Sequence, residues 1–464
     1  MKKKHSKIQI FLSIAASRMT RLLLHVLHRG GTTLPGRSAM FFDKTILEVV
    51  SKKMSIIVVT GTNGKTTTCS MLRHALSSAH INVLSNVSGA NLLTGITAEF
   101  TANASLLGSP KKHYAVIECD EGALRKVVPY IHPKCIVVTN LFRDQLDRYG
   151  EVMHTLNVIR EGIEMVPEST ICLNADDSLT ASLADNIPNK IIYFGINVPF
   201  KNEESAGSIS DAKYCIHCGT EYKYDYHTYA HLGGFYCPKC GYKRTSPDIV
   251  VNSIKKISSQ GSIISVSVNN VEKEIRIGLP ALYNIYNAIA AISAFMGAGY
   301  NINYILRSLS NEKSSFGRME TFNYKDINIQ MILVKNPAGC NQALSYLTGL
   351  DEEYTGVFCL NDKTADGHDI SWIWDADYEK LALDPACKKI LVWGTRKEDM
   401  QLRLKYAGID ESKISAFENP DDLFNTIVSE ARTAFILPNY TSMITLRSLL
   451  GDATGKNEFW KEQA

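Results

Sequence analysis

Two stretches of the sequence carry residue types whose spacing does chemistry. The first is Val58-Val59-Thr60-Gly61-Thr62-Asn63-Gly64-Lys65-Thr66-Thr67-Thr68. An apolar run enters a glycine turn and leaves as a helix-friendly segment. The glycines let the backbone curl so that several N–H groups converge on phosphate oxygens. The helix N-terminus beyond the turn adds about half a positive charge. Lys65 is suited to neutralise phosphate charge, and the Thr66 hydroxyl to hold Mg²⁺. Gly61, Thr62, Asn63, Gly64, Lys65, Thr66 and Thr67 are therefore the expected ATP-binding residues. Strict P-loop spacing would put a glycine where Val59 stands. An ordinary strand–turn–helix is the alternative, but Gly-Lys-Thr sits where the chemistry needs it.

The second stretch is a pair of knuckles, Cys215-Ile216-His217-Cys218-Gly219 and Cys237-Pro238-Lys239-Cys240-Gly241, with eighteen residues between Cys218 and Cys237. Each knuckle offers two thiolates from one tight turn. Two knuckles close a tetrahedral site, so Cys215, Cys218, Cys237 and Cys240 are expected to hold a structural Zn²⁺ in a zinc ribbon over about 211–246. His217, His227 and His231 read as surface residues rather than ligands. Lys213, Lys223, Lys239, Lys243 and Arg244 are offset by acids and form no dense stripe, so no nucleic-acid partner is expected. A third cluster, Asp362, Asp366 and Asp369, lies at the end of an apolar run. It reads either as a ligand site at a strand end or as a solvated acidic loop.

These residues need elements to position them. The chain has 464 residues with 45% hydrophobic and 21% charged content, a formal charge of +3 and eleven cysteines. That is a soluble globular composition, large enough for two or three domains. An odd cysteine count over a long chain does not suit a secreted disulfide framework. Ile56–Val59, Tyr114–Ile117, Cys135–Val138, Ile171–Leu173 and Ile191–Phe194 read as strands, separated by helical patterns. This alternation predicts a parallel sheet covered on both faces. The pattern breaks over residues 201–245 and resumes into a helix at Tyr283–Met296. Beyond it lies a second α/β unit, with strands expected at Met331–Val334, Val357–Leu360, Ile390–Trp393 and Ala434–Leu437.

At the N-terminus, Ser13, Ser17, Arg18, Thr20, Arg21 and His25 interrupt the apolar stretch that begins at Ile8. Neither a secretory signal nor a bilayer span suits that pattern. The expectation is an amphipathic helix with Phe11, Ile14, Ala15, Leu22 and Val26 near one face. It would either pack on the body of the protein or be drawn to an anionic membrane surface.

The loop Gly-Thr-Asn-Gly-Lys-Thr-Thr resembles that of the Mur ligases and folylpolyglutamate synthases. These enzymes phosphorylate a carboxylate with ATP before an amine attacks the acyl phosphate. Further blocks resemble the family in the same order. They are Glu118 in Ile-Glu-Cys-Asp-Glu-Gly, Thr139–Asp147, Leu173-Asn174-Ala175-Asp176-Asp177, Tyr283-Asn284-Ile285-Tyr286-Asn287-Ala288 and Gly317-Arg318-Met319-Glu320. The resemblance implies that Glu118 binds Mg²⁺ with Thr66, that Asn287 contacts adenine, and that Arg318 approaches ATP. Gln145 and Tyr283 stand where the family usually has histidines. Residues 151–167 contain no lysine to be carbamylated, which leaves a second metal site in doubt.

The ribbon and the C-terminal third are similar to the MurT branch of the family, the synthetase subunits of lipid II isoglutaminyl synthase. Lys335–Gly339, Leu360–Asp362 with Ala365–Trp372, Trp393–Arg396 and Pro438–Ser442 carry that likeness. It implies a Mur ligase-type ATPase domain over 44–312 after a helical segment 1–43, and a C-terminal Rossmann-like α/β domain over 313–464. It also implies amidation of the D-glutamate α-carboxylate of lipid II to D-isoglutamine in the cytoplasm, at the inner face of the membrane. Lys65, Glu118 and Asp369 would be catalytic, and the cofactors ATP, Mg²⁺ and structural Zn²⁺. Cys340 and Cys69 lack the Gly-x-Cys-x-Gly setting of a glutaminase nucleophile, so a GatD-like glutaminase partner would supply ammonia. Two alternatives are a stand-alone amino-acid-adding or polyglutamate ligase, and a non-enzymatic zinc-ribbon module with a vestigial loop.

Overall fold

The computed structural model describes residues 5–27, 31, 33–86, 90–143, 152–199, 211–258, 260–312, 318–350 and 352–456. They form two compact units. One draws on Met1–Leu141, Met153–Pro199 and Ala212–Glu312, the other on Phe142–Val152, Phe200–Asp211 and Lys313–Ala464.

The first unit contains strands β1 (Ser55–Thr60), β2 (Val83–Ser85), β3 (Tyr114–Glu118), β4 (Cys135–Val138), β5 (Thr170–Asn174) and β6 (Ile191–Ile196). A separate hairpin comes next, β7 (Lys223–Tyr229) and β8 (Leu232–Tyr236), and then β9 (Ile249–Ser258), β10 (Gly261–Val268) and β11 (Val271–Ile277). The main sheet runs β2-β3-β1-β4-β5-β6-β9-β10-β11. It is parallel from β2 to β9, and β10 and β11 add antiparallel pairs at the edge. Ile56 to Val59, Val116, Ile117, Cys135 to Val138 and Ile171 to Leu173 are fully buried, as expected for strands covered on both faces. The register sets where the strands end. Val59 pairs with Glu118, Thr60 with Val138, and Val138 with Leu173. The loops leaving β1, β3, β4 and β5 therefore open at one level, beyond the carboxyl ends of the strands, where open α/β sheets bind ligands.

Helix α1 (Lys7–Val26) and helix α2 (Leu34–Phe42) pack on helix Leu93–Asn103 of this unit. Ser6 and Gln9 cap α1 reciprocally. Gly36 permits the close approach of α2, since a Cβ there would lie 1.7 Å from the Thr94 carbonyl oxygen. The face expected for α1 needs one correction. Phe11, Leu22 and Val26 are exposed, whereas Ile14 is buried with Ile10, Ser13 and Ser17. At 3.6 residues per turn Ile14 stands about 120° round the helix from Val26, so it belongs to the inward face and not to the apolar stripe.

The second unit has strands β12 (Arg318–Tyr324), β13 (Ile327–Ile332), β14 (Tyr354–Cys359), β15 (Cys387–Trp393), β16 (Ile414–Phe417) and β17 (Thr433–Pro438). They run β12-β13-β17-β14-β15-β16, parallel except for β12. The strand expected at Met331–Val334 starts earlier and stops at Ile332. Glu320 on β12 and Arg447 on helix Tyr440–Thr454 form a buried two-point ion pair at 3.0 and 3.1 Å. Removing either partner would strand a buried charge, a loss of about 3–5 kcal/mol. The glutamate of the Gly-Arg-x-Glu block is therefore a stabilising residue of this unit.

Candidate active site

The phosphate loop is built as its glycines require. Gly61 and Gly64 have φ of +115° and +86°. A Cβ on Gly61 would lie 2.4 Å from Thr139 Oγ1, and one on Gly64 would lie 2.0 Å from Asn287 Oδ1. Any side chain at either position would push into the residues that support the loop. Those supports come from the end of β4. The Thr62 N–H donates to the Asn140 carbonyl (2.9 Å) and the Asn63 N–H to Asn140 Oδ1 (2.9 Å), while Asn140 Nδ2 and Thr139 Oγ1 donate to the Asn63 carbonyl (3.2 and 2.7 Å).

Lys65 begins helix Lys65–Ser78 and is buried. Its ammonium donates to the Gly61 carbonyl (2.5 Å), the Thr62 carbonyl (3.3 Å) and Glu121 Oε1 (2.7 Å). Burial alone would lower its pKa, but Glu121, Glu118 and Asp120 outweigh that and hold it above the ordinary lysine value. It is therefore a fixed positive charge at neutral pH. The Thr66 hydroxyl donates to Glu118 Oε2. Glu118 is itself held: Asn91 Nδ2 approaches Oε1 at 3.4 Å, and the Asn86 amide clasps the Glu118 backbone N–H and carbonyl at 2.9 and 2.7 Å. A hydroxyl and a carboxylate at one point form a hard oxygen donor pair suited to Mg²⁺.

The turn after β5 carries two adjacent, fully buried carboxylates, Asp176 and Asp177. Asp177 accepts the Leu141 N–H (2.8 Å) and Leu179 N–H (3.0 Å), with His231 Nε2 at 3.3 Å. Asp176 accepts from Arg244 Nε (2.6 Å), the Tyr286 hydroxyl (2.6 Å) and the Ile196 N–H (2.8 Å). Burial raises the Asp176 carboxyl above its usual value, and Arg244, Tyr286 and Ile196 pull it back. Arg244 and His231 belong to the cysteine-bearing insertion, so this turn is where the insertion attaches. His231 is only 1% exposed. It is a buried partner of Asp177, not the surface residue the sequence suggested. His217 is exposed and rests edge-on against Tyr242.

Among the described residues, Cys215, Cys218, Cys237 and Cys240 form the one cluster of three or more His, Cys, Asp or Glu side chains able to hold a metal. Their sulfurs lie within 4.8 Å of one another, with Cys215–Cys240 at 3.5 Å and Cys218–Cys237 at 3.4 Å. The knuckles repeat one geometry: the N–H of Gly219 and that of Gly241 each return to the carbonyl of the first cysteine, and both glycines have positive φ. The other seven cysteines are buried. Burial pushes the Cys340 thiol up to about 12, the reverse of what a nucleophilic thiolate needs.

In the second unit, Asn361 and Asn439 tie the ends of β14 and β17 together, and the Thr395 N–H donates to Asn361 Oδ1 at 2.9 Å. Asp366 accepts from the Thr441 N–H and hydroxyl, and Asp362 approaches Thr395 and Arg396. Asp369 accepts the Ser371 N–H at 2.8 Å. The Ser371 hydroxyl and N–H hold its carboxyl below the usual aspartate value, and it is partly exposed. Of the three acids, Asp369 is the one whose described bonds stay within its own turn.

Residues 59–295 match the Mur ligase middle domain and 333–443 the MurT ligase C-terminal region. A relative in Streptococcus pneumoniae, the MurT subunit of lipid II isoglutaminyl synthase (glutamine-hydrolyzing), is 38% identical over 441 residues, covering 95% of this chain and 96% of its own. The chain belongs to the Mur ligase family, in its MurT branch. The Staphylococcus aureus MurT subunit is 34% identical over 93% of this chain and 95% of its own length. Among solved structures, MurF from Acinetobacter baumannii superposes with a TM-score of 0.64 at 17% identity, over 89% of this chain and 80% of its own. A pseudomurein peptide ligase type C from Methanothermus fervidus gives 0.63 at 20% identity, over 86% and 79%. Those two likenesses speak for the fold.

For this MurT-branch chain, the structure brings Gly61–Thr67, Glu118 and Asn287 into one site and the four cysteines into another. Asn287 abuts the loop at Gly64, and its Nδ2 donates to Asn284 at 3.1 Å. The Arg318 side chain, Gly317, and Asp144–Asp147 with Gln145 lie outside the described residues. Sequence reasoning passed over Glu121, Asn86 and Asn140 as site residues. Glu121 and Asn140 lie inside blocks that resemble the family, and a buried strand-end position was their only signal.

Asn140 offers a test of the loop's construction. Asn140→Ala removes the Oδ1 acceptor of the Asn63 N–H and one of the two donors to the Asn63 carbonyl, a loss of about 1–3 kcal/mol in the loop geometry. ATP affinity measured by calorimetric titration should fall roughly tenfold or more while the melting temperature stays near wild type. Affinity within about twofold of wild type would show that Asn140 does not organise the loop.

Proposed function

We propose that the chain is the ATP-consuming subunit of a glutamine-hydrolysing amidotransferase acting on lipid II in peptidoglycan synthesis. The observation that carries this reading is the convergence of Lys65, Thr66 and Glu118 in a Mur ligase middle domain that continues into a MurT C-terminal region. The substrate would be the D-glutamate α-carboxylate of the stem peptide. A carboxylate oxygen attacks the γ-phosphorus of ATP, the bond to the bridging oxygen breaks and ADP leaves. Ammonia then attacks the carbonyl carbon of the acyl phosphate and loses a proton. Phosphate departs with the carboxylate oxygen, and D-isoglutamine remains.

The residues divide this work. The loop N–H groups from Gly61 to Thr67 cradle phosphate, and Lys65 exchanges its loop carbonyls for phosphate oxygens. Thr66 and Glu118 are placed to hold Mg²⁺, which when bound neutralises phosphate charge and lines up the transfer. Asn287 and Arg318 are assigned to the nucleotide. Cys215, Cys218, Cys237 and Cys240 fit structural zinc, because a tetrahedron with Zn–S of about 2.3 Å sets its sulfurs about 3.8 Å apart. Four thiolates leave no open position for chemistry.

Ammonia comes in this reading from a separate GatD-like glutaminase. The buried, unreactive setting of Cys340 and of the other non-ribbon cysteines supports that division. So does the wording of the relatives' names, which call MurT a subunit of a glutamine-hydrolyzing synthase. Asp369 is assigned to that partnership: an ionised, partly exposed carboxylate suits fixing the tautomer of a partner's catalytic histidine. Among the described residues no helix is long and apolar enough to cross a membrane. In this reading a lipid-linked substrate would draw the protein to the inner face of the cytoplasmic membrane.

The isolated chain should amidate lipid II with ATP and ammonium at raised pH but not with glutamine. Lys65→Ala should lower that rate by on the order of 10²–10³-fold, the loss typical of a missing transition-state charge partner. Glutamine-driven amidation by the chain alone would refute the division of labour. Elemental analysis should find about one zinc per chain, and Cys218→Ser should lower the melting temperature with loss of the metal. Four freely titrating thiols in the folded, zinc-free protein would remove the ribbon reading.

A further inference from the structure

Helix α1 is turned the unusual way round. Its inward face buries two serines, Ser13 and Ser17, beside Ile10 and Ile14. Its outward face carries Ile8, Leu12, Met19, Leu22, Leu23 and Val26, all exposed, with Met19 at 71% and Leu22 at 64%. Their spacing of three, four and seven residues puts them on one stripe of the helix. Helix α2 adds Phe41, 83% exposed, and its edge-on neighbour Phe42. Single exposed leucines are ordinary, but a continuous apolar stripe on a folded surface marks a contact.

The charge pattern says what the contact is. Residues 1–42 hold eight of the chain's 50 Lys and Arg and none of its 47 Asp and Glu. The other residues carry 42 Lys and Arg against the 47 acids, a net charge of −5. The acidic balance of the body and the basic balance of this segment are therefore segregated. Arg18 and Arg21 turn inward to the carbonyls of Ala104 and Ala98, and Arg21 also to Glu99. Lys7 and Arg37 stay exposed. An apolar stripe flanked by cations, on a helix about 30 Å long at 1.5 Å per residue, is the arrangement that lies in the plane of an anionic bilayer.

We propose that α1 and α2 form a membrane-docking face that seats the protein on anionic phospholipid. The inference rests on the proposed function for its lipid-linked substrate. It explains how a chain without a spanning helix among its described residues stays on the surface that carries that substrate. Docking would sink the stripe among the acyl chains while Lys7 and Arg37 meet the headgroup phosphates.

The test is flotation of the full chain with vesicles of phosphatidylcholine alone or with about one third phosphatidylglycerol. Binding should be at least about tenfold stronger on the anionic vesicles and should weaken severalfold as salt rises from about 0.1 to 0.5 M. The variant Leu22→Glu/Leu23→Glu/Phe41→Glu, and a milder set with Gln at the same positions, should lose that binding about tenfold. Both should keep the wild-type melting temperature, the wild-type oligomeric state and the rate on substrate in detergent micelles. If the Glu set misfolds, the Gln set decides. Unchanged vesicle binding by a folded variant, or wild type that ignores anionic vesicles, overturns the proposal. So does a wild-type dimer that the variants dissolve, since the stripe would then join two copies. Wild type that binds vesicles but amidates substrate in neither micelles nor vesicles would sink the functional reading and leave the docking face standing.

Discussion

Two neighbouring carboxylates with no access to water, Asp176 and Asp177, constrain much of the first unit. A buried carboxylate without donors is too costly to persist, so each lone pair has to be met. Besides the Leu179 N–H just after the turn, the partners that meet them come from the backbone after β4, the backbone of β6, the helix that carries Tyr286, and His231 and Arg244 of the insertion. The insertion is thus part of the core's electrostatic balance. The same turn pins Leu141, the residue after Asn140, and Asn140 shapes the phosphate loop. Hydrogen bonds, joined by the peptide link between Asn140 and Leu141, thus connect the insertion to the phosphate-loop backbone. A metal held by the four cysteines, as proposed, would thereby bear physically on the phosphate loop.

The parallel register does the rest of the positioning. Val59 opposite Glu118 and Thr60 opposite Val138 bring three loops to one level, so Thr66 meets Glu118 and Asn63 meets Asn140 although they are far apart in sequence. A cation for phosphate, an oxygen pair for Mg²⁺ and a loop of N–H donors are what phosphoryl transfer to a carboxylate requires. In the proposed reaction the protein would supply position and charge without forming a covalent bond to the substrate. The described cysteines outside the knuckles are all buried, and burial raises the Cys340 and Cys359 thiols above the ordinary cysteine value, the reverse of what a glutaminase nucleophile would need.

What could be read from the sequence was what is local. The phosphate loop and the two knuckles are short patterns whose geometry is set by glycines within a few residues, and the structure forms both. Strands beginning at Ile56, Tyr114, Cys135 and Ile171 were legible because β-branched runs covered on both faces leave a continuous apolar signature. Glu121 and Asn86 were not legible, since their roles come from which strand end each faces across the sheet. His231 was misjudged because its neighbour Asp177 is 54 residues away. Ile14 was misplaced on α1 because apolar character alone does not say which side of a helix faces inward. Here the more apolar side faces out.

The central claim is that this chain activates a carboxylate by phosphorylating it. The most direct measurement uses lipid II carrying ¹⁸O in both oxygens of the D-glutamate α-carboxylate, turned over with ATP and ammonium. Mass spectrometry of the products should find one ¹⁸O in each inorganic phosphate released and one in the new amide. Unlabelled phosphate, with both heavy oxygens left on the peptide or lost to water, would mean that no acyl phosphate forms and would contradict the account.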